Sequence, residues 1–228
     1  MTRGPLCLVG GDEWTEGCSF DAALLAESGA SQVVVLPTAA AYEGVDGVVE
    51  SARSWFAGLG ADVAVARVLV RPDALDEDHV RLVREAGFVY LAGGPAGGSP
   101  MHLRSVLKDS PVLDALVEAW QGGAVLAGAA AGGSVLFDHM VDTRGGAYTV
   151  GLGLLSGFTM IQRYDTWSTD KVHRTVDLAA PGLAVAGIEE RTALIHRVGA
   201  GWSVEGAGTV HVFQNGKPAG LDALPPLG

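Results

Sequence analysis

The sequence predicts an α/β protein, a three-layer α/β/α sandwich in which a mostly parallel sheet is covered by helices on both faces. Two observations predict it. Short, wholly apolar runs alternate with amphipathic segments through the first two thirds of the chain, the pattern of βαβ units whose strands are buried on both sides. Glycine is also abundant, 33 of 228 residues, with no low-complexity repeat, as many tight strand-to-helix turns require.

The elements follow in order. Leu6 to Val9 reads as a buried strand, a helix starts near Ser19, and Val33 to Leu36 is a second strand closed by Pro37. Val45, Val48, Val49, Ala52, Trp55 and Phe56 recur at helical spacing, and Gly58-Leu59-Gly60 stops that helix. Asp62 to Val70 reads as a strand, followed by a helix led by Asp73 and Asp76 that carries Val80, Leu82, Val83 and Ala86. Phe88 to Ala92 is the next strand, and a loop opens at Gly93-Gly94. Val112, Leu113, Leu116, Val117 and Trp120 mark a further helix, and Ala124 to Ala127 a fully apolar strand.

From Gly145 the texture becomes strand-rich. Thr159 to Tyr164 and Leu183 to Ile188 read as strands, and Ala193 to Val198, Trp202 to Val204 and Thr209 to Phe213 alternate like an antiparallel meander. With no linker to separate them, these strands are expected to extend the same sheet in a single domain over 1–228, with a loose Pro-containing tail over 215–228.

Composition excludes several function classes. Hydrophobic residues at 48% and charged residues at 18% supply ample apolar surface for a core, so disorder is excluded. The 26 acidic against 15 basic side chains give a net charge of −11, which disfavours nucleic acid and anionic membrane surfaces as partners. Cys7 and Cys18 form neither a CxxC pair nor a metal-ligand spacing, and the histidines at 79, 102, 173, 196 and 211 form no i,i+4 pair on one helix. No metal and no cofactor is expected. The N-terminal apolar segment is too short for a signal peptide, and Gly122 to Phe137 is too rich in Gly and Ala for a membrane span, so the expected location is cytoplasmic.

The chemistry concentrates in Gly128-Ala129-Ala130-Ala131-Gly132. A buried strand runs into small residues and then into a helix, the spacing of a nucleophile elbow whose central side chain stands at the C-terminal edge of a sheet. The centre is Ala130, and a methyl group has no lone pair with which to attack a carbonyl. The plainer reading is close packing of a helix on a sheet.

With these segments in view, the chain resembles the S51 serine peptidases, the group containing cyanophycinase and aspartyl dipeptidase. The resemblance rests on Leu8-Val-Gly-Gly11, Val33-Val-Val-Leu-Pro-Thr-Ala39, Val89-Tyr-Leu-Ala-Gly-Gly94, Gly123-Ala-Val-Leu-Ala-Gly128, Gly151-Leu-Gly-Leu-Leu155 and Gly187-Ile-Glu-Glu-Arg-Thr-Ala-Leu194, which span nearly the whole chain. It implies a class I glutamine amidotransferase-like fold. It also exposes three departures. The family's elbow serine is Ala130; the Asn/Asp-Gln that follows the family's glycine pair is Pro95-Ala96; and the family's general-base histidine, eight residues past Leu155, is Arg163. A guanidinium stays protonated and offers no acceptor, so it cannot shuttle a proton. Losing nucleophile or base costs a serine hydrolase about 10⁶ in rate, roughly 8 kcal/mol. An engineered Ser-to-Ala change would explain Ala130 alone.

The resemblance, corrected for these departures, implies a catalytically inactive homologue that binds a small anionic or peptide-like ligand. The binding positions are Gly94, Pro95, Ala130, Ala131 and Arg163, with the helix N-terminus and the guanidinium as the anion donors. The alternatives are an active hydrolase for acidic or β-aspartyl peptides with Ser134, one helical turn past Ala130, as relocated nucleophile, and a structural subunit; a homo-oligomer is left open. His102 follows the altered loop, His139 is placed near the end of the elbow helix, and Glu189-Glu190 match an acidic pair in the family motif.

Overall fold

The computed structural model describes residues 3–227. β1 (Leu6–Val9), β2 (Gln32–Leu36), β3 (Asp62–Val65), β4 (Phe88–Leu91) and β5 (Val125–Ala129) form the parallel part of a seven-stranded sheet in the order β3-β2-β4-β5-β1. Side chains alternate across a strand, so each apolar run serves two cores. Cys7, Val9, Val33, Val35, Phe88, Tyr90, Val125 and Ala127 face one side, with Phe20 and Leu24 of α1 (Phe20–Ser28) and Val48, Ala52 and Phe56 of α2 (Val45–Gly58). Leu6, Leu8, Val34, Leu36, Val89, Leu91 and Leu126 face the other, under α3 (Glu77–Arg84), α4 (Pro100–Leu107) and α5 (Pro111–Gln121). This is the three-layer α/β/α arrangement with a mostly parallel sheet.

Past β5 the chain makes one helical turn, α6 (Ala131–Ser134), and a small hairpin of β6 (His139–Val141) and β7 (Tyr148–Val150). β8 (Phe158–Ile161), α7 (Thr169–Asp177) and β9 (Ala184–Ile188) form a second parallel unit. β10 (Thr192–Arg197) and β11 (Gly201–Gly206) extend the large sheet antiparallel to β1, whereas β12 (Val210–Gln214) and β13 (Lys217–Ala219) complete a second, four-stranded sheet in the order β13-β12-β9-β8. The expected meander over one sheet is therefore corrected: only β10–β11 is a hairpin within the large sheet, and β12 crosses to β9.

Other expectations are corrected locally. The strand expected over 62–70 ends at Val65, where pairing with Val35 ends, and the helix expected from Asp73 splits because the Asp73 carboxylate accepts from Leu69 and Val70 N–H while Asp76 caps α3. The expected loop after Gly94 contains α4, started by Ser99, whose hydroxyl accepts from His102 N–H at 3.2 Å, and by Pro100 in its first turn. The elbow helix is one turn long because Phe137 bridges to Leu155, and His139 opens β6 instead of closing a helix.

The tail over 215–227 is held, not loose. β13 pairs with β12, Leu224 is buried, Trp202 Nε1 donates to Pro225 O at 2.9 Å, and Leu227 N–H donates to His196 Nε2 at 3.3 Å. Apolar burial and two hydrogen bonds outweigh the local preference of a Pro- and Gly-rich segment.

Candidate functional site

Parallel strands place the loops after their C-terminal ends along one edge, and ligands bind such sheets where the strand order reverses. In this sheet β1, β5 and β4 are adjacent, so Gly10-Gly11, Ala130 and Gly93-Gly94 meet there. Ala130 sits at φ 44°, ψ −112° and is fully buried, a backbone conformation that costs an L-residue about 1–3 kcal/mol. The glycine two residues on makes the turn feasible. A methyl on Gly132 would lie 2.1 Å from Leu91 O, so only hydrogen lets the turn pack against β4.

Arg163 faces this turn. It follows β8 in a left-handed conformation, φ 49°, ψ 46°, with its N–H donating to Gly10 O at 2.8 Å. A methyl on Gly11 would stand 2.8 Å from Arg163 Cγ and 3.6 Å from Ala130 Cβ; one on Gly97 would stand 3.2 Å from Arg163 Cδ and 3.9 Å from Ala130 Cβ. The arginine stem and the elbow methyl thus border the same two glycines. Its guanidinium is already paired, Nε donating to Glu190 Oε1 at 2.6 Å, and Glu190 N–H donates to Asp165 Oδ1 at 2.9 Å.

The backbone donors around the turn are also engaged. At an elbow of this kind the N–H after the nucleophile, with an N–H from a neighbouring loop, stabilises the developing oxyanion. Here Ala131 N–H donates to Gly97 O at 3.0 Å and Ala130 N–H to Val9 O at 2.9 Å. Gly93 and Gly94 N–H both donate to Glu13 Oε1, at 2.8 and 3.2 Å. Burial pushes the Glu13 carboxyl above its ordinary pKa, with these hydrogen bonds opposing the shift. A cavity of about 200 Å³ is lined by Asp12, Glu13, Trp14, Ser51, Gly94 and Pro95 among others; of the expected binding positions it takes Gly94 and Pro95, while Ala130, Ala131 and Arg163 do not line it.

The remaining candidates lie elsewhere. Ser134 Oγ is buried, 2.8 Å from Ala130 O and 3.1 Å from Gln162 Oε1, where it donates back into its own turn. His102 Nε2 lies 2.9 Å from Leu69 O under the Tyr42 ring, and His139 pairs with Asp138 at 3.0 Å. Both cysteines are buried, which pushes their thiols up in pKa. Glu189 holds His211 Nε2 at 2.9 Å, apart from its neighbour's pairing with Arg163. Among the described residues no group of three His, Cys, Asp or Glu side chains could hold a metal ion, and no helix is long and apolar enough to cross a membrane.

Sequence reasoning missed Glu13, Gly97 and the pairing of Glu190. Glu13 carried a usable signal, since it follows the first strand by a short loop and such loops share the functional edge of a parallel sheet.

A strained strand-to-helix turn at this edge is the platform on which α/β hydrolytic enzymes mount a nucleophile. The chain belongs to peptidase family S51, whose model matches residues 17–204. Its fold is similar to that of a peptidase from an acI-B1 Actinobacterium, with a TM-score of 0.81 and 28% identity over 93% of this chain and 91% of that one. A protein provisionally described as peptidase E, from Listeria monocytogenes EGD-e, shares the fold at a TM-score of 0.67 and 17% identity over 91% of this chain and 100% of that one. Comparison with curated protein sequences finds no match.

Proposed function

We propose that this chain is a catalytically silent member of the S51 family that keeps a peptide-like ligand cleft beside a disabled elbow. The observation that carries this reading is the Ala130 methyl at the strained centre of the turn, with the Arg163 stem bordering the same glycines, Gly11 and Gly97. Neither side chain can act as nucleophile or general base. The oxygens of Glu13 and Gly97 on the neighbouring N–H groups support the same reading, because an incoming carbonyl finds those donors engaged. Ser134, turned back onto Ala130 O, offers no substitute nucleophile.

The geometry bears on the ligand as well. An anion at Arg163 must displace Glu190, whereas the cavity beside Gly94 and Pro95 is bounded by Asp12 and Glu13 and suits the amine of a peptide-like ligand. Assays with acidic dipeptides and β-aspartyl peptides test the silence. Wild type and Ala130→Ser are both expected to show no turnover above buffer, since the base is absent and the donors remain engaged. Strong turnover by wild type, or its appearance on Ala130→Ser alone, overturns the proposal.

A further inference from the structure

A second pocket, separate from the elbow and independent of the reading above, lies between the turn at Tyr164–Thr166, the start of α7 and β12. It has a volume of about 260 Å³ and is lined by Tyr164, Trp167 and Phe213 together with Val172, Asp165 and His173. We propose that this pocket binds a quaternary, fully methylated ammonium group, as in a choline-like small molecule.

The walls argue for a cation. Aromatic faces carry negative charge density and attract a positive group within about 6 Å of the ring centre, tryptophan most strongly. Trp167 already does this within the protein: the Lys171 ammonium stands 3.5 Å from its ring centroid. Lys171 is itself held by Thr143 O. Tyr164 is fixed by stacking on His211 at 4.6 Å, and Phe213 lies 6.3 Å from Tyr164, so these two rings form a prepared surface. Asp165 adds a carboxylate, with Oδ1 accepting from Glu190 N–H, and among the described residues no lysine or arginine lines the pocket.

The same walls argue for methylation. A bare ammonium carries three donors and strong hydration, and three rings with one carboxylate do not replace its water. A methylated ammonium gives up little hydration and meets the rings with its methyl groups.

Choline and its neutral carbon analogue, 3,3-dimethylbutan-1-ol, test the inference by proton NMR on the whole protein. The N-methyl signal of choline is expected to move upfield under the rings and to saturate, with the neutral analogue and methylammonium each binding about tenfold more weakly. Trp167→Phe is expected to weaken choline by several-fold and Asp165→Asn by less, both with an unchanged melting temperature, whereas Ala130→Ser leaves binding unaltered. Equal binding of choline and the neutral analogue, equal binding of methylammonium, or no upfield shift at the highest choline concentration the protein tolerates would each overturn it.

Discussion

Asp21 shows how one residue sets a pH response. It is fully buried, with Oδ2 accepting from Trp55 Nε1 at 2.9 Å and Oδ1 without a partner. Burial pushes its carboxyl up to about 8, against the lowering effect of the indole donor. The folded chain therefore keeps a proton that the unfolded chain releases near pH ~4. Between there and about 8 stability falls as pH rises, by up to ~1.4 kcal/mol per unit, and the slope ends above the folded pKa. Asp21→Asn is expected to remove this slope, read by urea unfolding at mildly acidic and mildly alkaline pH; an equal slope in both proteins would mean that Asp21 is charged in the fold. The methyl of Ala130 and the permanent charge of Arg163 were legible in the sequence, because they are properties of the side chain itself. Glu13 was not legible, since its role depends on which N–H groups another loop presents to it.

At the scale of elements, the strand-to-helix turn after β5 tolerates no added carbon at its close contacts. Gly132→Ala forces a methyl against Leu91 O and is expected to cost about 3 kcal/mol or more, measured as a shift of the urea midpoint with unchanged slope. The C-terminal strap is a second element with a measurable weight. Truncation after Ala219 exposes the site of Leu224 and frees Trp202 Nε1, and a loss of about 2–4 kcal/mol is expected in the same measurement. His196, which accepts from Leu227 N–H, has its pKa lowered by burial and by Arg3. Its contribution is present above the unfolded value near ~6.5 and is lost as pH falls through the lowered folded pKa. The strap is therefore expected to loosen in acid, seen as faster amide exchange at Leu227 below that range. Elements with continuous apolar runs were legible, whereas α4 and α7 were not: each begins at a single serine cap, and α7 carries only Val172 and Val176 as apolar residues.

For the whole molecule, the net charge of −11 predicts self-repulsion that salt relieves, so the melting temperature is expected to rise by a few degrees between ~10 and ~150 mM NaCl. Because β10 and β11 join one sheet while β9 and β12 join the other, the chain alternates between sheets, and a single calorimetric transition is expected; two separated transitions would divide it. By itself the sequence determined the layered α/β class, the central strands and the elbow with its methyl, since each is written in contiguous residues whose period and size are read locally. Only the tertiary structure decided that Arg163 reaches Gly11 and Gly97 beside the elbow and pairs with Glu190, that Glu13 and Gly97 take up the backbone donors, and that the C-terminal strands divide between two sheets. Those outcomes depend on which loops arrive at one sheet edge and on which strand a free edge accepts, contacts between residues far apart in the chain that local periodicity does not encode.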